Sequence, residues 1–290
     1  MSRLSRSASL ALAALGLALM HPAQAQTINY AQDDASAYTT DFVGAGTNPN
    51  TVTQSNHGTG FNPFVFQSSA GNFAGWYLQT GNTAIGTGTG QNTFGIYAST
   101  DATTTATRSF DFSPGGGTTI VAGATTPLFT GQTVNASFQN RDLAGGSTVG
   151  FSLENSTGAA LFTFDFLGGT ADYRVTDSSG TTNSALPYTQ GGQNTSFLLT
   201  GANAYTFTAT NIGGTGTLTQ SGTVTGAIDR IVYFCNGSSN NGDVNFNALS
   251  ITGPAAVPEA SSSIGLGVML ALGGVGLVLK ARKRRHSVQA

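Results

Sequence analysis

The sequence predicts an all-β protein: a jelly-roll-like double-sheet sandwich between an N-terminal signal peptide and a single C-terminal transmembrane helix. Three observations predict it. Apolar residues recur along the middle of the chain with a period of two. Glycine-rich turns separate these segments. Cations are scarce in the middle and clustered at the two ends.

Residues 1–25 open with Arg3 and Arg6, continue through an apolar stretch over 8–20, and end in Ala23-Gln24-Ala25. Two cations, a short apolar segment and small residues at Ala23 and Ala25 define a secretory signal peptide, cut by signal peptidase after Ala25. The stretch is short for spanning a bilayer.

Residues 26–254 form the body. Phe162, Phe164 and Phe166 alternate with Thr163 and Asp165, and Val134, Ala136 and Phe138 alternate with Asn135, Ser137 and Gln139. Val149, Phe151 and Leu153 repeat the scheme, as do Tyr205, Phe207 and Ala209, and Leu249 with Ile251 closes it. Successive strand side chains point to opposite faces, so each segment has one face for a core and one for water. Gly145-Gly146, Gly168-Gly169, Gly191-Gly192 and Gly213-Gly214 punctuate the segments as turns. No segment of the body carries a helical stripe, and one double-sheet jelly roll is more economical than two small domains. The low-complexity stretches 84–90 and 101–106 are read as loops or edge segments.

Residues 255–290 form a tail. Val257-Pro258-Glu259-Ala260 precedes an uncharged run rich in Gly, Leu and Val, and Lys280, Arg282, Lys283, Arg284 and Arg285 follow it. As a helix over 260–279 the run is about 30 Å long, enough to cross a bilayer. The basic cluster at 280–285 acts as a stop and stays cytoplasmic under the positive-inside bias, which leaves the body outside the inner membrane.

Motif, helix and basic tail together resemble the PEP-CTERM sorting signal of exported bacterial proteins. The usual motif is Val-Pro-Glu-Pro, and Ala260 stands in place of the second proline. The resemblance implies recognition by exosortase, a membrane protease-transpeptidase that cuts near the motif. The protein is then expected first in the inner membrane with its body on the periplasmic side, and afterwards at the cell surface or in the extracellular matrix. The body, too, resembles a group of uncharacterised exported proteins with concanavalin-like jelly rolls. The likeness lies in Gly58-Thr59-Gly60-Phe61, Phe94-Gly95-Ile96-Tyr97, the run 146–153, and the closing segment Phe246-Asn247-Ala248-Leu249-Ser250-Ile251. It implies a fold and no assigned activity.

Charge narrows the function. Only 8% of the 290 residues are charged, against roughly 25% in ordinary soluble domains. The body holds four arginines, Arg108, Arg141, Arg174 and Arg230, against twelve acids, a formal charge of −8. Nucleic acid binding needs clustered Lys and Arg, so no nucleic acid partner is expected.

The search for chemistry yields little. A Ser-His-Asp set needs a histidine base, and the body has only His57, in the loop-like Ser55-Asn56-His57-Gly58. Glycoside hydrolysis needs two carboxyls flanking one bond, and Glu154 is the body's only Glu. The sequence therefore predicts no enzyme and no catalytic residue. Asp243, Asn245 and Asn247 fall on one face of a short strand and offer hard oxygen donors to a structural Ca²⁺, although Asn and Asp are also ordinary turn residues. Trp76 and Tyr77 are the candidates for glycan contact, while apolar burial is the common fate of such aromatics. Cys235 is alone, so no internal disulfide forms, and it reads as a buried residue ending a strand.

Two functions are carried forward. One is an exosortase-sorted structural protein of the surface or of an exopolysaccharide biofilm matrix. The alternative is a lectin-like glycan-binding module anchored at the cell envelope.

Overall fold

The computed structural model describes residues 26–39, 41–46, 49–69, 73–112, 125–141, 143–237 and 242–255. The segments expected to be a signal peptide (1–25), a sorting motif (257–260), a membrane helix (260–279) and a basic stop (280–285) lie outside the described residues. Among the described residues no helix is long and apolar enough to cross a membrane.

Among the described residues the period of two becomes sixteen strands, all paired antiparallel in two sheets. Sheet A runs β14 (Thr217–Thr223), β13 (Ala204–Asn211), β12 (Gln193–Leu199), β7 (Thr133–Asn140), β16 (Gly242–Pro254), β5 (Thr93–Ala98) and β4 (Ala74–Gln79). Its eighth strand, β1 (Thr27–Asp33), pairs with the C-terminal half of β16. Sheet B runs β11 (Gly180–Pro187), β10 (Asp172–Asp177), β9 (Ala160–Leu167), β8 (Thr148–Glu154), β15 (Arg230–Asn236), β6 (Thr103–Ser109), β3 (Val65–Ser68) and β2 (Asn50–Thr53). The architecture is the expected double-sheet β-sandwich of the jelly-roll kind. A 3-10 turn at Ala35–Ala37, capped by the Asp34 carboxylate, is the one helical element among the described residues.

The alternating residues supply the core between the sheets. Phe162 of sheet B packs against Phe197, Tyr205 and Phe207 of sheet A, with ring centroids 5.0, 5.2 and 4.8 Å apart. Further along the sandwich Tyr233 stacks on Phe246 at 3.9 Å, and Phe66 stacks on Trp76 at 5.5 Å. Such pairs add about 0.5–1.5 kcal/mol beyond their buried area.

The long strand β16 faces the core with Val244 and Phe246, then with Leu249 and Ile251. An odd step inside one strand requires an extra residue, and Ala248 is that residue: the register with β7 slips between Asn247 and Ser250, and Ala248 has a φ of 51°. This bulge keeps both apolar pairs inside while bending the strand.

One expectation is corrected here. Residues 103–106 are neither a loop nor an edge. They open β6, an interior strand between β15 and β3, because Thr104 and Ala106 fill inward positions while the β-branched Thr103 and Thr105 suit a pleated surface.

An ion pair also lies inside the sandwich. Arg108 of β6 is fully buried, and its Nη2 lies 2.6 Å from Oδ2 of Asp33 on β1. Tyr38 donates its hydroxyl to the same carboxylate at 3.0 Å. The guanidinium stands over the Phe64 and Phe61 rings at 4.5 and 5.4 Å. Burial pushes the Asp33 carboxyl above its ordinary range despite the opposing Arg108 charge, and pushes the Tyr38 hydroxyl up to about 12. The pair ties the two sheets together.

Candidate functional site: the outer face of sheet A

Inward positions on sheet A are mostly apolar, so their neighbours in sequence must face outward, and in β14, β13, β12 and β7 nearly all of these are hydroxyls or amides. Strand register sets them in rows. One row runs Thr219, Thr208, Ser196, Asn135 and Ser250 across β14, β13, β12, β7 and β16. The row beside it runs Thr217, Thr210, Asn194 and Ser137. Neighbours bond across the strands: Ser137 donates to Asn194 at 3.0 Å, and Asn135 reaches the Ser250 and Thr252 hydroxyls at 3.4 Å each. Adjacent strands are about 4.8 Å apart, so the face offers a polar group at each such step. A shallow cleft of about 400 Å³ lies over Asn135, Ser137, Asn194, Ser196, Thr208 and Thr210. No ionisable residue lines it among the described residues.

The loop over 80–92 crosses the same face beside this array. Asn247 holds it down, donating to the carbonyls of Ile85 at 3.1 Å and Asn92 at 2.9 Å and to the Thr87 hydroxyl at 2.8 Å. The Asn247 side-chain oxygen accepts from the Ala35 N–H at 2.9 Å. Asn82 of the loop donates to Gln139 of β7 at 2.7 Å.

Beyond the loop, β4, β5 and the N-terminal half of β16 build a second cleft. Tyr77 and Tyr97 lie outward, each above a glycine of the neighbouring strand. A Cβ on Gly95 would stand 2.2 Å from the Tyr77 ring, and one on Gly75 would stand 2.8 Å from the Tyr97 hydroxyl. Only glycine admits rings this close to the backbone. Tyr77 donates to the Asp243 carboxylate at 2.6 Å and lies 3.2 Å from the Asn245 side-chain oxygen. The Asn245 amide nitrogen is buried with no partner among the described residues. Burial first, then the Asp243 charge, pushes the Tyr77 hydroxyl well above its ordinary value. Burial likewise raises the Asp243 carboxyl, against the Tyr77 hydrogen bond and the Arg141 charge, which both favour its ionised form. A cleft of about 410 Å³ opens here, lined by Phe73, Tyr97, Ser99, Arg141 and Asp243. Phe73 is 69% exposed, and among the described residues only Val43 is a comparably exposed large hydrophobic side chain.

The sequence candidates divide accordingly. Tyr77 lies on the outer face and bonds Asp243, but does not itself line this cleft. Trp76 lies on the inner face: adjacent strand residues face opposite ways, so Trp76 is core, 2% exposed, with its indole N–H donated to the Val43 carbonyl at 2.9 Å. Its reading as a glycan contact is corrected on that ground. Asp243, Asn245 and Asn247 do share one face, but Asp243 and Asn245 turn their oxygens to the Tyr77 hydroxyl while Asn247 is committed elsewhere, to the Ala35 N–H and the loop. The structural Ca²⁺ reading is corrected for that reason. Among the described residues no group of three His, Cys, Asp or Glu side chains could hold a metal ion.

His57 lies in a loop and is exposed, and its Nε2 is 2.5 Å from Asp41 Oδ2. That hydrogen bond holds the Asp41 carboxyl below its usual range. Glu154 ends β8 on sheet B, half-buried, accepts from the Ser152 hydroxyl at 2.7 Å, and has its carboxyl raised by burial. Cys235 is buried in β15, and burial pushes its thiol up to about 12.

Arg141, Phe73 and Tyr97 were not singled out from the sequence. Arg141 had one legible mark, being one of only four body cations. The hydroxyl array was legible as the outward half of the same alternation that revealed the core.

No family model matches the chain, and no curated protein matches it. Among solved structures it is similar to a protein of unknown function from Shewanella oneidensis MR-1, with 13% identity over 84% of this chain and 93% of the other and a TM-score of 0.46. It is similar to the alginate lyase from Corynebacterium sp., with 11% identity over 60% of this chain and 80% of that one and a TM-score of 0.41. It is also similar to a family 16 glycosyl hydrolase protein from Mycobacterium smegmatis, with 13% identity over 63% of this chain and 94% of that one and a TM-score of 0.36. These likenesses correct one expectation. The sequence predicted no enzyme, yet neighbours of this architecture are named as a lyase and a glycosyl hydrolase, so that exclusion is withdrawn. At such identities the likeness concerns the fold alone and carries no activity to this chain.

Proposed function

We propose that the body is a polysaccharide-contacting module of an exported protein sorted to the cell surface or extracellular matrix. The observation that supports contact with polysaccharide is the uncharged array on the outer face of sheet A, where rows of Thr, Ser and Asn cross five strands around a shallow cleft. A neutral sugar chain is a ladder of hydroxyl groups, each both donor and acceptor. A surface of hydroxyls and amides answers it in kind, and the cross-strand hydrogen bonds already hold its side chains in place. Export rests on the two ends of the sequence. Signal peptidase acting after Ala25 and exosortase acting near 257–260 deliver the body to the outer side of the inner membrane and then beyond it.

The test is affinity electrophoresis of the protein through gels containing exopolysaccharide from the native host. Retention is expected, and the paired change Ser196→Glu with Thr208→Glu should abolish it while leaving the circular dichroism of the fold intact. Mobility unaffected by any polymer would sink the reading. Reducing ends measured in the same gels report whether a retained polymer is also turned over. Intact mass of the protein recovered from its host tests the two processing steps, and an uncut chain in the cytosol would end the export half of the proposal.

A further inference from the structure

The four body arginines do not share one fate. Arg108 is closed inside the sandwich on Asp33, Arg174 pairs with Asp165 at 2.5 Å, and Arg230 lies 3.5 Å from Asp229. Arg141 alone closes no ion pair among the described residues. It is exposed at the end of β7, where its backbone N–H donates to the Asp243 carbonyl, and its side chain lines the cleft with Phe73 and Asp243. In a body of formal charge −8, an exposed guanidinium that lines a cleft beside Asp243 without closing an ion pair on it marks a place where the surface accepts an anion.

We propose that this cleft binds one carboxylate-bearing sugar unit, a hexuronate, within an otherwise neutral polysaccharide. A guanidinium offers a planar fork of donors matched to a carboxylate. Phe73 presents an exposed ring to the apolar C–H face of a pyranose, while the Tyr97 and Ser99 hydroxyls and the Asp243 carboxylate serve the ring hydroxyls. The volume of about 410 Å³ falls within the range of small-ligand pockets, roughly 300–1,000 Å³. A monoanion fits better than a phosphate dianion, because Asp243 shares the cleft and the body as a whole repels negative charge. The raised Asp243 carboxyl agrees with this: burial already disfavours its ionised form there, which softens repulsion toward an incoming carboxylate. Isolated acidic units suit a single cation, whereas a continuous polyuronate would bring many carboxylates against a body of formal charge −8. The proposal rests on the reading of the body as a polysaccharide-contacting module and adds the chemical class of the sugar.

The experiment is titration calorimetry of the full chain with otherwise neutral tetrasaccharides that carry one glucuronate, galacturonate, mannuronate or guluronate unit, each beside its carboxyl-reduced neutral counterpart. At least one acidic tetrasaccharide is expected to bind tenfold or more tightly than its reduced partner. Arg141→Gln should erase that preference, and Phe73→Ser should weaken both members of the pair. Both side chains are exposed, so neither change threatens the fold. Equal binding of every acid and its reduced partner overturns the proposal, as does a preference that survives Arg141→Gln. If the host polymer is still retained in gels and lost on Ser196→Glu with Thr208→Glu, only the cleft assignment fails. If nothing is retained, the broader reading fails with it.

Discussion

Replacing Arg108 by Met removes the cation from the Asp33–Arg108 pair while keeping an unbranched apolar side chain above the Phe64 and Phe61 rings. Among the described residues Asp33 then stays between the sheets with the Tyr38 hydroxyl and the Asp34 N–H as its donors. Removing one partner of a buried pair costs about 3–5 kcal/mol, because the other charge is left uncompensated. For a body of this size each kcal/mol moves Tm by about 2–4 °C, so a fall of about 6–20 °C is expected at pH 8. The sign of the pH dependence follows from linkage. Burial already raises the Asp33 carboxyl, and loss of the Arg108 charge raises it further. The native variant therefore binds a proton that the unfolded chain has released, and its stability falls as pH rises through that window. The deficit against wild type is smallest in acid and complete near pH 8. Adding Asp33→Asn should recover most of the loss, since an amide needs no counterion and still accepts from Tyr38. The assay is calorimetric melting of wild type, Arg108→Met and the double variant from pH 4.5 to 8. A single variant within about 1 kcal/mol of wild type at pH 8 would refute the reasoning, because the carboxylate would then have found water or another partner.

Three further outcomes are expected. Phe162→Ala removes the ring that contacts Phe197, Tyr205 and Phe207, and should cost about 3–5 kcal/mol by urea unfolding; a loss under about 1 kcal/mol would mean that these rings do not share a packed core. The Cys235 thiol, raised to about 12 by burial, has almost no thiolate at pH 8, so a disulfide reagent should label the unfolded chain fully and the native chain hardly at all. Rapid native labelling would contradict its placement. The Asp243 carboxyl should titrate above the ordinary aspartate range by carbon NMR, and both Tyr77→Phe and Arg141→Gln should move it higher, since each removes a group that favours the ionised form; a downward shift would show that the two do not face it.

The strands over 133–140, 148–154, 160–167 and 204–211 were legible because alternation is local: a residue and its second neighbour share a face whatever lies beyond. The neutral exterior followed from composition, since a body with four cations and twelve acids must cover itself with hydroxyls and amides. Three things needed the assembled sheets. Trp76 and Tyr77 are neighbours in a strand, so only one can face out, and register with β5 decided that Trp76 joins Phe66 in the core while Tyr77 meets Asp243. Arg108 carries no local mark of burial; its partner Asp33 comes from the opposite sheet. The cleft of Phe73, Tyr97, Arg141 and Asp243 draws on strands distant in the chain. A period of two reports which face a residue occupies, but only strand pairing and the closing of one sheet over the other decide which residues from separate segments meet there.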